Sequence, residues 1–225
     1  MATTITKIVD PDGTGDYTSL SNWEAGRQGD LTTLDTVEQA KCTSSGGTAD
    51  TTACTIDGWT TDSSHYIKIY GDPAQIATYG NGEWSTSKYR LHMSTSNQYA
   101  LTSTSGNIKL TDLQIRVDCP NNYTTSVCFY DQQDNIELLR CLFYANCNAS
   151  GKYANLAILG FYNTPTNTKI QSCIFYSDSL SGDRTYGIQS QYSGAAAHVY
   201  VYNNTFKNID YPLVSESTCP IESKK

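Results

Sequence analysis

Asn107-Ile-Lys-Leu-Thr-Asp-Leu-Gln-Ile115, Asn135-Ile-Glu-Leu-Leu-Arg-Cys-Leu-Phe143, Asn167-Thr-Lys-Ile-Gln-Ser-Cys-Ile-Phe175 and His198-Val-Tyr-Val-Tyr-Asn-Asn-Thr-Phe206 superpose without a gap. They start 28, 32 and 31 residues apart, an internal repeat of the length that solenoids use. The fourth column reads Leu110, Leu138, Ile170 and Val201; the seventh, Leu113, Cys141, Cys173 and Asn204; the ninth, Ile115, Phe143, Phe175 and Phe206. A spacing of two between the last two columns is a strand period, and the spacing of three before it predicts a bend joining two short strands. A helical solenoid would need apolar spacings of three and four held over about ten residues, which this pattern does not offer.

Each repeat carries an earlier apolar run as well: Tyr99-Ala-Leu101, Ser126-Val-Cys-Phe-Tyr130, Ala157-Ile-Leu-Gly-Phe-Tyr162 and Tyr186-Gly-Ile188. Three short strands per repeat, returning to one register with polar loops of varying length between them, describe a parallel β-helix coil. Loop length can vary because each added loop residue costs little closure entropy, whereas inward columns must keep register. Phe143, Phe175 and Phe206 are then expected to stack inside the coil about 4.8 Å apart, the spacing of adjacent strands. Upstream, Val37–Cys42, Thr52–Ile56, Tyr66–Tyr70 and Tyr89–Met93 read as further strands by alternation. The stretch Asp16–Gly26 reads as the one helix, with Ser19 or Ser21 as N-cap, Glu24 completing a capping box with Ser21, and Gly26 closing it. Such a helix would plug the open end of the coil. The expected organisation is a cap over residues 1–30 and β-helix coils, six or seven in number, over 31–225.

Composition agrees. At 225 residues the chain can bury one sizeable core, and no linker divides it. Fifteen Lys and Arg against 22 Asp and Glu leave a net charge of −7, which repels phosphate backbones and anionic membrane surfaces and makes nucleic acid an unexpected partner. Charged residues make up 16% of the chain, well under the usual quarter, while Tyr alone contributes 17 residues; an all-helical protein is excluded. No apolar run approaches the roughly 18 residues of a membrane span. The opening stretch Met1–Asp10 has neither the basic nor the apolar region of a secretory signal. The expectation is a signal already removed, or export by another route such as phage lysis.

Eight cysteines stand at 42, 54, 119, 128, 141, 147, 173 and 219. Cys42 with Cys54, and Cys119 with Cys128, each bracket a polar loop and could clip it shut in an oxidising compartment; free thiols are the other reading. With no C-x-x-C and with His65, His92 and His198 far apart, no metal site is expected.

Asp10-Pro-Asp-Gly-Thr-Gly-Asp-Tyr-Thr-Ser-Leu20 with the Trp-containing helix after it, Thr55-Ile-Asp-Gly-Trp59 and Tyr66-Ile-Lys-Ile-Tyr70 resemble the amino-terminal coils of right-handed parallel β-helix proteins of the pectate-lyase-like superfamily, most of all members encoded by phages and environmental bacteria. The resemblance implies an all-β, single-stranded right-handed parallel β-helix with a short N-terminal capping helix. It also implies polysaccharide cleavage as an activity to look for. A lyase needs an Arg or Lys base beside Ca²⁺-binding carboxylates, and Arg140 shares the sixth repeat column with Asp112, where an ion pair between neighbouring coils is the plainer role. Hydrolysis needs two carboxylates across a groove; Asp131 with Asp134, or Asp178 with Asp183, are the candidate pairs, although loop carboxylates are usually turn formers. The polygalacturonase signatures are absent.

Tyrosines at strand ends and outward positions, Tyr144, Tyr176, Tyr200 and Tyr202 among them, are candidate binding residues for sugar rings or for another protein. After the last repeat, 208–225 shows no helical pattern to cap the final coil, and open strand edges can pair with another chain. The sequence therefore favours a non-enzymatic structural subunit, extracellular or on a virion surface, self-associating or attached to a larger particle or filament. The alternative is a β-helix that binds or cleaves a polysaccharide, with no cofactor beyond a Ca²⁺ bridge if the polymer is acidic.

Overall fold

The computed structural model describes residues 1–72, 83–94, 99–119, 128–147, 156–161, 167–178, 185–190, 198–215 and 221–224. The chain opens with β1 (Thr3–Val9), α1 (Leu20–Arg27), α2 (Leu31–Leu34), β2 (Thr36–Cys42) and β3 (Cys54–Ile56). Five complete turns of three strands follow: β4 (Ile67–Gly71), β5 (Leu91–Ser94) and β6 (Leu101–Ser103); β7 (Ile108–Thr111), β8 (Gln114–Cys119) and β9 (Phe129–Asp131); β10 (Ile136–Leu139), β11 (Leu142–Cys147) and β12 (Leu156–Phe161); β13 (Thr168–Gln171), β14 (Ile174–Ser177) and β15 (Thr185–Ser190); β16 (Val199–Tyr202), β17 (Thr205–Lys207) and β18 (Tyr211–Ser215). β19 (Ile221–Lys224) begins one more. Every pairing is parallel, giving a first sheet β1-β2-β4-β7-β10-β13-β16-β19, a second β5-β8-β11-β14-β17 and a third β3-β6-β9-β12-β15-β18. This is a parallel β-solenoid.

The repeat columns are its inward ladders. Leu110, Leu138 and Ile170 are fully buried in register on the first sheet, and Phe143 pairs with both Ile115 and Phe175 on the second. The Phe143 and Phe175 rings stack at 5.3 Å, and Phe175 and Phe206 at 4.8 Å, close to the strand spacing that sets them. The expected bend lies at the sixth column: Asp112, Arg140, Ser172 and Asn203 all take the left-handed conformation, with φ of 57°, 52°, 54° and 53°. A second corner uses the first column, where Asn107, Asn135 and Asn167 have φ of 55°, 61° and 58°. Asn and Asp tolerate this region better than other side chains with a Cβ, which explains the Asn at the head of three repeats.

Gly71, ending β4, shows how closely the turns approach: a Cβ there would lie 2.2 Å from the Asp112 carbonyl oxygen. Cys141 and Cys173 fill the seventh column, and at its end Asn204 replaces the thiol, accepting from the Cys173 N–H at 2.7 Å and donating to the Ile170 carbonyl at 2.8 Å.

The amino-terminal helix forms as expected with Ser19 as N-cap, its hydroxyl accepting from Asn22 N–H at 3.1 Å. It buries Leu20 and Trp23, and Trp23 stacks on Trp59 at 5.6 Å, so the helix covers the first turn. Four details differ from the sequence reading. Glu24 makes no capping box, because with Ser19 as N-cap the third helical position is Asn22; Glu24 is buried instead and accepts from Asp57 N–H and Trp59 Nε1. The helix runs past Gly26 to Arg27. A second short helix, α2, follows, N-capped by Asp30. Finally, the tail, in which the sequence showed no strand, contributes β18 and β19, which extend the third and first sheets.

The cysteine expectation changes too. Cys42, Cys54 and Cys128 are free and buried, at strand or strand-flanking positions facing the core. Burial pushes the Cys42 and Cys54 thiols up and the Cys128 thiol to about 12, which leaves them packed, unreactive side chains in place of loop clips. The Cys119 side chain lies outside the described residues.

Candidate functional site

On the second sheet Phe143 and Phe175 point inward, so alternation turns their neighbours outward. One outward row runs His92, Arg116, Tyr144, Tyr176 and Lys207, each in register with the next across five turns. Beside it lie Gln114, Leu142, Ile174 and Thr205, and on the other flank Ser94, Asp118 and Asn146. These rows build a groove of about 390 Å³, based on Leu142 and Ile174, walled by Tyr144 and Tyr176 on one side and by Glu83 and Trp84 on the other, with Lys207 at its end. It runs along the solenoid axis.

Trp84 reaches the groove because the segment before β5 is pinned by a buried polar residue. Gln114 accepts from Ser85 N–H at 2.7 Å and donates to the carbonyls of Ser85 and Tyr89 at 3.1 Å each. The indole then meets the edges of Tyr144 and His92, both with ring centroids 6.0 Å away.

Charge is arranged around these rings. The Arg116 guanidinium sits 4.3 Å from the Tyr144 centroid and 5.9 Å from that of Trp84, a cation held on aromatic faces. Its Nε donates to Asp118 Oδ1 at 2.7 Å, while Asp118 Oδ2 meets His92 Nε2 at 2.7 Å. Burial opposes the Asp118 charge, but the Arg116 and His92 hydrogen bonds together outweigh it and hold that carboxyl below its ordinary range. Lys207 Nζ lies 5.0 Å over the Tyr176 ring. The Tyr144 and Tyr176 hydroxyls both donate to Asp178, one to each carboxylate oxygen. Partial burial, and next the Asp178 carboxylate, push the Tyr144 phenol up.

Of the residues singled out in the sequence, Tyr144, Tyr176 and Asp178 come together here. The others do not. Tyr200 and Tyr202 lie on the outer face of the first sheet, in register with Lys169 and Gln171, with near-parallel rings 6.3 Å apart. Tyr99 stacks on Tyr130 beside the third sheet, so the tyrosines occupy three faces of the solenoid and form no single Tyr face. Asp131 and Asp134 do not form a groove pair. Asp131 is 1% exposed and faces the interior from β9, and burial raises its carboxyl well above the ordinary range; Asp134 sits in the turn that follows, its carbonyl bonded by Asn107 N–H. Asp183 lies outside the described residues. Arg140 is committed to a two-point ion pair with Asp112, at 2.7 and 2.8 Å, that bridges the bends of adjacent turns. Among the described residues no three His, Cys, Asp or Glu side chains gather as a metal-holding group.

The sequence reading missed Trp84, Asp118 and Lys207, and gave His92 and Arg116 no place in a groove. A signal was available for most of them. Extending the repeat alignment by one column gives Arg116, Tyr144, Tyr176 and Lys207, and the twelfth column gives Asp118, Asn146 and Asp178.

Fold and site together define a parallel β-solenoid carrying an aromatic groove on the outside of one sheet. Compared by sequence, the chain matches no protein-family model and no curated protein. Compared by structure, it is similar to the pectin methylesterase from Aspergillus niger in two states of deglycosylation. The deglycosylated form gives a TM-score of 0.48 at 10% identity, covering 99% of this chain and 83% of that one. The penultimately deglycosylated form gives 0.46 at 11% identity, covering 100% and 89%.

Proposed function

We propose that this solenoid binds a polysaccharide strand along the groove of the second sheet. The observation that carries the reading is the aromatic lining: Trp84, Tyr144 and Tyr176 flank an apolar base at a volume within the usual range of ligand sites. Aromatic faces suit the apolar faces of sugar rings, and Glu83 and Lys207 in the lining offer hydrogen-bond partners for hydroxyls. A groove along the axis can take an extended chain. The net charge of −7, against one Lys and one Glu in the lining, favours a neutral polymer over an acidic one. A self-associating structural subunit, favoured by the sequence, loses the Tyr-rich face as a route of assembly, because the described tyrosines are spread over three faces. An extracellular site of action is part of this proposal.

Electrophoresis through gels containing xylan, glucomannan or pectin tests this. Retardation by a neutral polymer, abolished in Trp84→Ala and Tyr176→Ala, is the expected result. Unretarded migration in all three gels would overturn the reading.

A cleaving activity has one specific observation behind it: His92, held by Asp118 and flanked by Arg116, is an oriented imidazole at the margin of the aromatic cluster, suited to proton transfer. Release of reducing ends from the retarding polymer, lost in His92→Ala, would support cleavage. No release by the wild type would leave binding as the whole function.

A further inference from the structure

We propose that Asp178 is the positioning residue of the groove: its ionised carboxylate ties the Tyr144 and Tyr176 hydroxyls together across two turns, so the aromatic wall is in its binding form only while that charge is present. The inference rests on the polysaccharide reading and adds to it a residue that controls the site without stacking on the ligand.

Tyr144 and Tyr176 are directly paired in register on β11 and β14, with ring centroids 4.8 Å apart and planes inclined at 55°. Nothing in strand geometry alone fixes that arrangement, since two side-chain rotamers are open to an outward strand residue. Trp84 and Arg116 pack on Tyr144 and Lys207 lies over Tyr176, and the group that joins the two rings is Asp178, one residue beyond β14, whose own N–H donates to the Ala145 carbonyl at 3.1 Å. That bond ties the carboxylate's backbone to the turn carrying Tyr144, and each carboxylate oxygen then takes one phenol proton.

The clasp works only with the anion. A carboxylate accepts at both oxygens, whereas a protonated acid keeps one oxygen as a donor and cannot receive two phenols in the same way. The other charged groups near the pair are Arg116 on β8, over the Tyr144 ring, and Lys207 on β17, over the Tyr176 ring, with Asp118 and His92 beyond Arg116 and Glu83 across the groove. A clasped wall is already ordered when a ligand arrives; with the clasp open, two ring side chains must be immobilised on binding, which weakens affinity by about ten-fold.

The test compares wild type with Asp178→Asn, which keeps the shape and removes the charge. First, with ring-labelled tyrosine, the Tyr144 and Tyr176 ring resonances are followed by NMR from pH 7 to pH 3 without ligand, alongside near-UV circular dichroism to confirm the fold. The expected result is ordered, distinct ring environments in the wild type at pH 7 that average on acidification, and averaged environments in D178N throughout. Rings unchanged in D178N would overturn the inference whether or not any sugar binds. Second, calorimetric titration uses xylohexaose and mannohexaose. The expected result is about ten-fold weaker binding to D178N at pH 7, with wild-type affinity falling on acidification and D178N affinity flat. A D178N protein that binds as tightly as wild type, or keeps the same pH dependence, would overturn it, the latter assigning the effect to Glu83 or Asp118. If neither sugar binds the wild type while the rings respond as expected, the polysaccharide reading fails and Asp178 still stands as the group that positions the wall.

Discussion

Asn135 carries the backbone of its corner in the left-handed region, at φ 61°, and so do Asn107 and Asn167 one turn away on either side. Glycine adopts this conformation freely, Asn at small cost, and a β-branched residue at a cost of about 1–2 kcal/mol. Asn135→Gly is therefore expected to unfold within about 0.5 kcal/mol of the wild type, and Asn135→Val to lose about 1–2 kcal/mol, measured by denaturant titration. Asp131 makes a different kind of prediction. Its Oδ2 has no hydrogen-bond partner in the core, and burial favours the neutral acid, so its pKa is raised in the folded state. A raised carboxyl contributes fully below its unfolded value of about 4, and that contribution is lost as pH rises towards the folded value, at up to about 1.4 kcal/mol per pH unit. Asp131→Asn should thus gain on the wild type steadily as pH rises above about 4; parallel stability curves would contradict this. The corner asparagines were legible as a repeat column, while Asp131 was not, because a carboxylate in a polar stretch reads as a turn former until strand parity turns it inward.

Strands of the second sheet owe their register to the inward ladder, and Phe175 is its middle rung, fully buried between Phe143 and Phe206. Phe175→Ala opens a cavity with ordered rings on both sides, and a loss of about 3–5 kcal/mol is expected in chemical unfolding. At the amino end, α1 is held by Asp50, which accepts from Leu20 N–H at 2.7 Å and from the Tyr89 hydroxyl at 2.9 Å; nothing in the local sequence marks that role. The end of α2 is clasped differently. His65 meets Asp62 at 2.9 Å and Asp35 at 3.0 Å, and those hydrogen bonds, Asp62 first, raise its pKa. A raised histidine stabilises fully below its unfolded value of about 6.5, and the effect disappears as pH rises through the folded value. The stability difference between wild type and His65→Gln should be fully present below about pH 6.5, be lost as pH rises through the raised folded value, and shrink in 1 M salt because the two carboxylates are solvent-exposed. A difference independent of pH would show that the ion pairs are not its source. The first strands, the repeat and α1 were all readable, since each has apolar alternation or a cap. β18 and β19 were not: Tyr211-Pro-Leu-Val-Ser215 and Ile221-Glu-Ser-Lys224 carry little alternation and depend on pairing with the preceding turn.

The solenoid as a whole turns one repeat into three outer faces, and its candidate function depends on which face a residue joins. The first sheet presents Lys68, Lys109, Glu137, Lys169 and Tyr200 in one row, a mixed-charge surface. The second sheet gathers Trp84, Tyr144 and Tyr176 around Leu142 and Ile174. The repeat establishes which columns face in; it says little about which outward columns matter, because outward residues answer to the ligand and not to the core. Trp84 was beyond reach for another reason: it belongs to no repeat and arrives through the pinning of its segment by Gln114. Hydroxyl-radical footprinting in the presence and absence of the retarding polysaccharide tests the central claim most directly, because the first-sheet tyrosines act as an internal control. The account predicts protection of Trp84, Tyr176 and Lys207 with Tyr200 and Tyr202 oxidised as before. Protection confined to Tyr200 and Tyr202, or an unchanged pattern at saturating polymer, would contradict it.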